Sequence, residues 1–201
     1  MDLGMPLASL VGRLDAAVLG VFARSHAEYS GRQVHRLAAS GSPSSVNTSL
    51  RRLSTMGLLT ATPRPYATLY RLNRDHLLWP AVHAALSAAI ELRHRIRDLA
   101  EREAPAGTSI ILFGSVSSGT ADAESDVDLV VVYPDATTND DAETFTDALA
   151  RAVESWTGNV AQVIGITQRQ LVESIREHDP FAVSWVGEGE TLHGQLPEGL
   201  Q

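Results

Sequence analysis

The sequence predicts an α/β protein, α+β overall, made of two units joined by a long helix. Its charge is divided, because residues 1–80 hold nine Arg and four acidic residues while residues 81–201 hold seven Arg and twenty acidic residues. The first half has the apolar period and the capping residues of short helices, whereas the second half alternates apolar runs with amphipathic segments. These observations place an N-terminal unit at 1–79, a connecting helix at 80–104 and a C-terminal unit at 105–201.

The composition excludes several kinds of protein and site. The chain has no Cys, which rules out disulfides, thiolate metal sites and a Cys nucleophile. No apolar run approaches the length of a membrane-spanning helix. The N-terminus lacks the charged-then-apolar layout of a signal peptide. We therefore expect a soluble, cytoplasmic protein with no membrane partner.

The N-terminal unit is predicted to contain three helices and a β-hairpin. Periodic apolar residues predict a first helix over 13–28. A capping-box pattern predicts a second over 30–39, and a Ser N-cap followed by Pro predicts a third over 42–56. Two strand-like runs, 58–61 and 68–72, then flank a stiff Pro-Arg-Pro turn with a basic tip.

This order of elements resembles a winged helix-turn-helix DNA-binding domain over residues 13–73. The resemblance rests on the order, the spacing and the phrase from Leu50 to Leu59, and it implies that the third helix enters the major groove of double-stranded DNA. The candidate base-reading residues are Ser44, Ser45, Asn47 and Thr48, and the candidate phosphate contacts are Arg51, Arg52 and Arg64. The alternative is a fold used for protein contact, with its Arg residues merely solvated.

The connector from Ala81 to about Glu103 has the apolar period of a single helix, about 30 Å long. It is either a rigid spacer or half of a dimer interface. Because winged-helix proteins often bind paired half-sites, we expect a homodimer.

The most specific motif lies in the acidic half. Gly114-Ser115 follows an apolar run at 109–113, and ten residues later Asp126-Val-Asp128 leads into a second run. A Gly-Ser turn lets backbone N–H groups and a hydroxyl approach phosphate oxygens. Two Asp residues two positions apart on a strand point to the same side and can bind a hard cation. The motif therefore predicts a site for a nucleoside triphosphate with Mg²⁺, or with Mn²⁺ in its place.

The rest of this half predicts a small mixed α/β sheet domain. An amphipathic helix over 140–156 is followed by a strand over 160–166 and by a capping box at Thr167 that opens another helix. A short helix and a strand complete the order before residue 195.

The acidic half resembles the minimal nucleotidyltransferases of the DNA polymerase β-like superfamily. The residues that carry the resemblance are Gly114, Ser115, Gly119, Ser125, Asp126, Asp128 and Leu129. It implies nucleotide binding by Gly114, Ser115, Gly119 and Ser125, and a catalytic role for Asp126 and Asp128 as metal ligands. A nucleotidyl group would then pass to an acceptor hydroxyl with release of pyrophosphate.

The sequence departs from that family at one position. Active members carry a third carboxylate on a later strand, where this chain has Gln162. An amide can ligate through its carbonyl, but it is not a general base near neutral pH. Glu154 or Glu173 would replace the missing acid only if the fold brings it close.

Three functions are open on the sequence. The first is a DNA-binding bacterial regulator whose second domain binds the Mg²⁺-nucleotide, either to transfer a nucleotidyl group or to sense it. The second is an active nucleotidyltransferase with a protein, RNA or small-molecule acceptor, of the toxin–antitoxin or antibiotic-modifying type. Its winged helix would control its own operon or dock a substrate. The third is an interaction module in which neither site works.

Overall fold

The computed structural model describes residues 1–197 and divides into two compact units. One contains Gly4–Ala88 and the other contains the chain from Ala89 onward. The division therefore falls inside the predicted 80–104 connector. The last four residues of the predicted 105–201 unit lie outside the described residues.

The N-terminal unit consists of helices and a three-stranded antiparallel sheet. Its elements are α1 (Arg13–Ala23), β1 (Tyr29–Ser30), α2 (Gly31–Ala38), α3 (Pro43–Thr55), β2 (Leu59–Arg64), β3 (Ala67–Leu72) and α4 (Trp79–Leu86). The strands lie in the order β1-β3-β2. α1 ends earlier than predicted because the polar residues after it lead into β1, which pairs with β3.

The core of this unit explains why the helices form where they do. Phe22 of α1, Val34 of α2 and Leu50 of α3 have no solvent exposure, and all belong to one apolar cluster. β2 and β3 pair from Leu59↔Leu72 to Arg64↔Ala67, so the hairpin turn consists of Pro65 and Tyr66. The helices and the hairpin occur in the predicted order, while the winged-helix identity stays a prediction.

The connector is interrupted where the sequence predicts one helix. α4 ends at Leu86 and α5 (Ala88–Glu103) begins after Ser87, which leaves the helical conformation at φ −93° and ψ 1°. Pro80 lies in the first turn of α4, where its missing N–H leaves no hydrogen bond unmade. Among residues 1–197, no helix is long and apolar enough to cross a membrane.

The C-terminal unit is a mixed sheet, as the sequence predicts, and helices cover both of its faces. After α5 its elements are β4 (Ser109–Phe113), α6 (Gly114–Ser118), β5 (Val127–Tyr133), α7 (Asn139–Thr157), β6 (Ala161–Thr167), α8 (Gln168–Arg176), α9 (Pro180–Glu188) and β7 (Glu190–His193). The strand order is β6-β5-β4-β7. β5 and β6 are parallel, and the other pairs are antiparallel.

Alternate residues of the central strands enter two separate cores. Leu112 and Leu129 pack with α5 and α7 on one face of the sheet. Ile111 and Val130 pack with α8 and α9 on the other face. Because both faces are covered, β4 and β5 read as continuous apolar runs rather than alternating ones.

Candidate functional site

The two Asp residues of the motif lie where three strands meet at one end of the sheet. Asp126 directly precedes β5, and Asp128 is its second residue. Asp128 pairs in register with Phe113, the last residue of β4, and with Gln162, the second residue of β6. Alternation along a strand directs both carboxylates to the face that α8 and α9 cover further along the sheet. Both side chains are partly exposed.

Gly114 is required at its position for two reasons. Its φ is 70°, in the left-handed region that favours glycine. A Cβ atom on this residue would also lie against the Asp128 carboxylate, 3.3 Å from its Cγ atom. The backbone of the predicted nucleotide-binding segment therefore approaches the predicted metal-binding carboxylate closely.

Replacing Gly114 by Ala is expected to weaken nucleotide binding and to lower stability by about 1–3 kcal/mol, because it combines an unfavourable backbone angle with a clash. Gly158→Ala is the matched control, since Gly158, directly after α7, has a φ of 71° and no atom lies within 4 Å of the place that its Cβ would take. Urea unfolding and titration with a non-hydrolysable nucleotide measure the two effects. An equal loss of binding in both variants would contradict a specific role for the Gly114–Asp128 approach.

The segment that the sequence predicts as a Gly-Ser turn is a short helix. α6 begins at Gly114, and the Ser118 hydroxyl donates to the carbonyls of Gly114 and Ser115 at 3.2 Å. Gly119 ends the helix in the left-handed conformation, with its N–H bonded to the Ser115 carbonyl. The structure thus brings Gly114 beside Asp128, with Ser115 as the next residue of α6 and Gly119 directly after its end.

Ser125 shapes the turn that delivers Asp126. Its hydroxyl donates to an Asp122 carboxylate oxygen and accepts from the Asp122 N–H, both at 2.9 Å. Its carbonyl accepts a hydrogen bond of 2.8 Å from the side-chain amide of Asn159. The structure shows the contacts of Ser125 within the turn, whereas its contact with a nucleotide stays a prediction.

The structure adds two residues that the sequence argument missed. Asn159, only 5% exposed, bonds to the carbonyls of Ser125 and Met1 and so fixes the turn before Asp126. Arg93 of α5 donates to Glu190 of β7 at 2.8 Å and to the Val116 carbonyl of α6 at 3.2 Å. In the sequence, Asn159 is only weakly indicated as a structural residue by its place directly after a glycine that ends a helix. Nothing in the sequence distinguishes Arg93 from the other Arg residues of its amphipathic helix.

Gln162 lies beside the carboxylate pair, as its predicted strand position requires. Its Nε2 donates to Asp126 Oδ2 at 2.6 Å. Within residues 1–197, no group of three or more His, Cys, Asp or Glu side chains is arranged to hold a metal ion. Neither Glu154 nor Glu173 therefore supplies the missing carboxylate, and Glu154 instead accepts a hydrogen bond from the Ala161 N–H at 3.4 Å.

The electrostatics of the pair suit a cation. Partial burial, and secondly the negative charge of Asp126, raise the pKa of Asp128 above its ordinary value. Across the described part of the chain, neither carboxylate forms an ion pair with an Arg or His side chain. Mg²⁺ needs only one or two protein carboxylates when phosphate oxygens and water complete its shell, so the residues present fit this ion.

The predicted DNA-contact residues divide into exposed and engaged side chains. Asn47, Thr48, Arg51 and Arg64 are exposed, as is Ser44. Ser45 and Ser42 form a capping box at the start of α3, so the Ser45 hydroxyl bonds to the Ser42 backbone. Arg52 forms an ion pair with Asp15 of α1, which gives it a structural contact that the sequence argument did not foresee.

Three solved structures resemble about half of the chain. One is a toxin–antitoxin with AMP-PNP (26% identity, 51% of this chain and 73% of that chain, TM-score 0.37). Another is the tri-AMPylated Shewanella oneidensis HEPN toxin in complex with MNT antitoxin (18%, 53% and 73%, 0.34). The third is a mutant of the toxin–antitoxin MntA-HpeT (21%, 51% and 73%, 0.35). At TM-scores below 0.5, this likeness does not establish a shared fold or activity.

The sequence itself gives a firmer comparison. No curated protein matches the chain significantly. Residues 93–182, however, match the family model described as "Nucleotidyltransferase domain". The matched stretch runs from α5 into α9 and includes Gly114, both Asp residues and Gln162. By this match, residues 93–182 are similar in sequence to a nucleotidyltransferase domain.

Proposed function

We propose that the chain is a nucleotidyltransferase that uses a nucleoside triphosphate with Mg²⁺ and transfers the nucleotidyl group to an acceptor hydroxyl. The observation that carries the proposal is the convergence of Gly114, Asp126 and Asp128 at one end of the sheet, inside the matched domain. The close approach of the Gly114 backbone to the Asp128 carboxylate favours a working site over an interaction module.

Each residue has a definite part in this reaction. The acceptor oxygen forms a bond to the α-phosphorus, the bond from that phosphorus to the bridging oxygen breaks, and pyrophosphate leaves. Asp126 and Asp128 hold the cation, which when bound neutralises charge on the triphosphate and on the leaving group. Gly114 and Ser115 bring backbone and hydroxyl groups to the phosphates. Gln162 cannot accept the hydroxyl proton, so this proton passes to solvent.

The experiment that tests the proposal is transfer of label from α-labelled nucleoside triphosphates in the presence of Mg²⁺. Wild-type protein is incubated with each of the four nucleotides and with protein, RNA and small-molecule fractions of a bacterial extract. Label on one fraction identifies the class of acceptor. Failure of every nucleotide to label any fraction would contradict the proposal.

DNA binding by the N-terminal unit is a second candidate function, and one surface favours it. A groove of about 470 Å³ lies between α2, α3 and the hairpin, and Arg32, Asn47 and Thr68 are among its lining residues. Tyr66, at the hairpin turn, also lines it and is fully exposed at 101%. The groove thus presents one cationic side chain, Arg32, together with hydrogen-bonding side chains, and groups of both kinds contact phosphate backbones.

Replacing Arg51 by Ala is expected to weaken binding to duplex DNA from upstream of the coding sequence. The slope of log affinity against log salt concentration is expected to fall by an amount equivalent to about one phosphate contact. Arg51 is suited to the test because it is exposed on α3, whereas Arg52 also has its structural contact with Asp15. Arg95→Ala, at an exposed position of α5, is the matched control. Gel shifts at several salt concentrations measure the effect. Equal binding by wild type and Arg51→Ala, or no salt dependence, would count against this function.

A further inference from the structure

Gln162 holds Asp126 through a hydrogen bond of defined direction. Its amide nitrogen lies 2.6 Å from Asp126 Oδ2. An ionised carboxylate only accepts hydrogen bonds, so the amide must turn its NH₂ group, not its carbonyl oxygen, toward Asp126. The Gln162 side chain therefore contacts Asp126 as a hydrogen-bond donor and not through its carbonyl oxygen.

This hydrogen bond uses one of the two Asp126 oxygens. A carboxylate has about four acceptor positions on its two oxygens, so the other oxygen remains able to bind a cation. Gln162 is an exposed residue, and Asp128 lies beside it in the parallel register of β5 and β6. The amide is therefore placed to fix the rotation of the Asp126 carboxylate.

The site offers little negative charge for binding a divalent cation in the absence of a nucleotide. Two carboxylates contribute the negative charge, and the neighbouring group at the same level of the sheet is a neutral amide. Mg²⁺ dehydrates reluctantly and is usually held by one or two carboxylates together with substrate phosphates. A site of this composition is expected to bind the cation weakly until a triphosphate supplies further oxygens.

We propose that Gln162 is a positioning residue that orients Asp126 for the cation, and that the site takes up the cation only together with the triphosphate. The inference rests on the proposed nucleotidyltransferase function. It assigns Gln162 the role of a hydrogen-bond donor to a metal-binding carboxylate rather than that of a third ligand or a base. Removing a hydrogen bond to a metal-binding side chain typically lowers the affinity for the metal by roughly tenfold to a hundredfold.

The test measures protein-bound Mn²⁺ by equilibrium dialysis, with any nucleotide analogue at the same concentration on both sides, because the analogue itself binds Mn²⁺. The full-length protein is titrated with Mn²⁺ alone, and then with Mn²⁺ and non-hydrolysable analogues of the four nucleoside triphosphates. Wild type is expected to bind Mn²⁺ markedly more tightly when an analogue is present. Tight binding of Mn²⁺ alone by wild type would overturn the coupling to the triphosphate.

Gln162→Met removes the donor and keeps the length of the side chain. It is expected to weaken Mn²⁺ binding in the presence of the analogue by roughly tenfold or more. Gln168→Met is the matched control, because Gln168 begins α8 at the opposite end of β6, and it is expected to bind as wild type does. Unchanged or tighter Mn²⁺ binding by Gln162→Met would overturn the positioning role, since tighter binding would mean that the amide competes with the cation.

Gln162→Glu supplies the third negative group that the chain lacks. It is expected to bind Mn²⁺ without any nucleotide, and failure to do so would contradict the argument from charge. Thermal unfolding of the variants without metal serves to exclude misfolding, which is not expected at an exposed position. If wild type binds none of the analogues together with Mn²⁺, the proposed function fails as well. If wild type binds an analogue with Mn²⁺ and Gln162→Met binds them equally well, only the positioning role of Gln162 is contradicted.

Discussion

Replacing both Asp126 and Asp128 by Asn is expected to lower nucleotidyl transfer by at least about a thousandfold. The two carboxylates are the anionic ligands that the site offers a cation, and loss of cation-assisted charge stabilisation costs several kcal/mol of the barrier, where about 1.4 kcal/mol corresponds to a factor of ten. Initial rates of label transfer from the α-labelled nucleotide measure the effect. Each single variant is expected to lose most of the activity by itself.

The loss is not expected to come from unfolding. Because the pKa of Asp128 is raised, the folded protein binds a proton at this site more tightly than the unfolded chain does. Ionisation of Asp128 therefore lowers the free energy of unfolding as the pH rises from the ordinary carboxyl range through the raised pKa. Asp128→Asn removes this loss of stability near neutral pH. The variant should then be at least as stable as wild type without metal. Asp140→Asn, on the exposed start of α7, is the activity control, and comparable activity in the Asp126/Asp128 variant would contradict the site assignment.

Replacing Asp15 by Ala is expected to lower the free energy of unfolding of the N-terminal unit by about 1–3 kcal/mol. Asp15 is 9% exposed, accepts a hydrogen bond of 2.5 Å from Ser49 and forms the ion pair with Arg52. The variant leaves the Ser49 hydroxyl, on a residue that is 4% exposed, without its acceptor. Much of the cost is expected to come from Ser49, because the Arg52 side chain is 57% exposed and can be solvated. Urea unfolding followed by circular dichroism gives the difference.

The double variant Asp15→Ala/Ser49→Ala separates this cause from general damage to α1. Removing both partners of a buried hydrogen bond lowers the free energy of unfolding less than removing one partner and leaving the other without a hydrogen bond. The double variant is therefore expected to recover part of the stability that Asp15→Ala loses. A single-variant effect below about 0.5 kcal/mol, as at ordinary surface positions, would show that this contact does not join α1 to α3 as described.

The sequence predicted those parts of the fold that depend on local pattern. The capping boxes at Ser30 and Thr167 are present, because an N-cap and its partner lie three residues apart in the chain. The apolar runs 109–113 and 129–132 lie in adjacent central strands. The nucleotidyltransferase resemblance is supported by the family match over residues 93–182.

The missed features depend on distant contacts or on short segments. α6 has five residues, too few to show a helical period, so its Gly-Ser start was predicted as a turn. The ion pair of Arg52 joins residues on two different helices, and nothing near Arg52 in sequence indicates Asp15. The hydrogen bond between Gln162 and Asp126 depends on the register of β5 and β6, which apolar runs alone do not determine.

Incubation of the wild-type protein and a bacterial extract with Mg²⁺ and a nucleoside triphosphate labelled either at the α- or at the γ-phosphate tests the central claim most directly. Nucleotidyl transfer leaves the α-phosphate on the acceptor and releases the γ-phosphate in pyrophosphate. We predict that the α-label becomes attached to an acceptor and that the γ-label appears only in pyrophosphate. Attachment of the γ-label would show phosphoryl transfer instead, and either that result or the absence of attached label with all four nucleotides would contradict the assignment of Gly114, Asp126 and Asp128 as a nucleotidyl-transfer site.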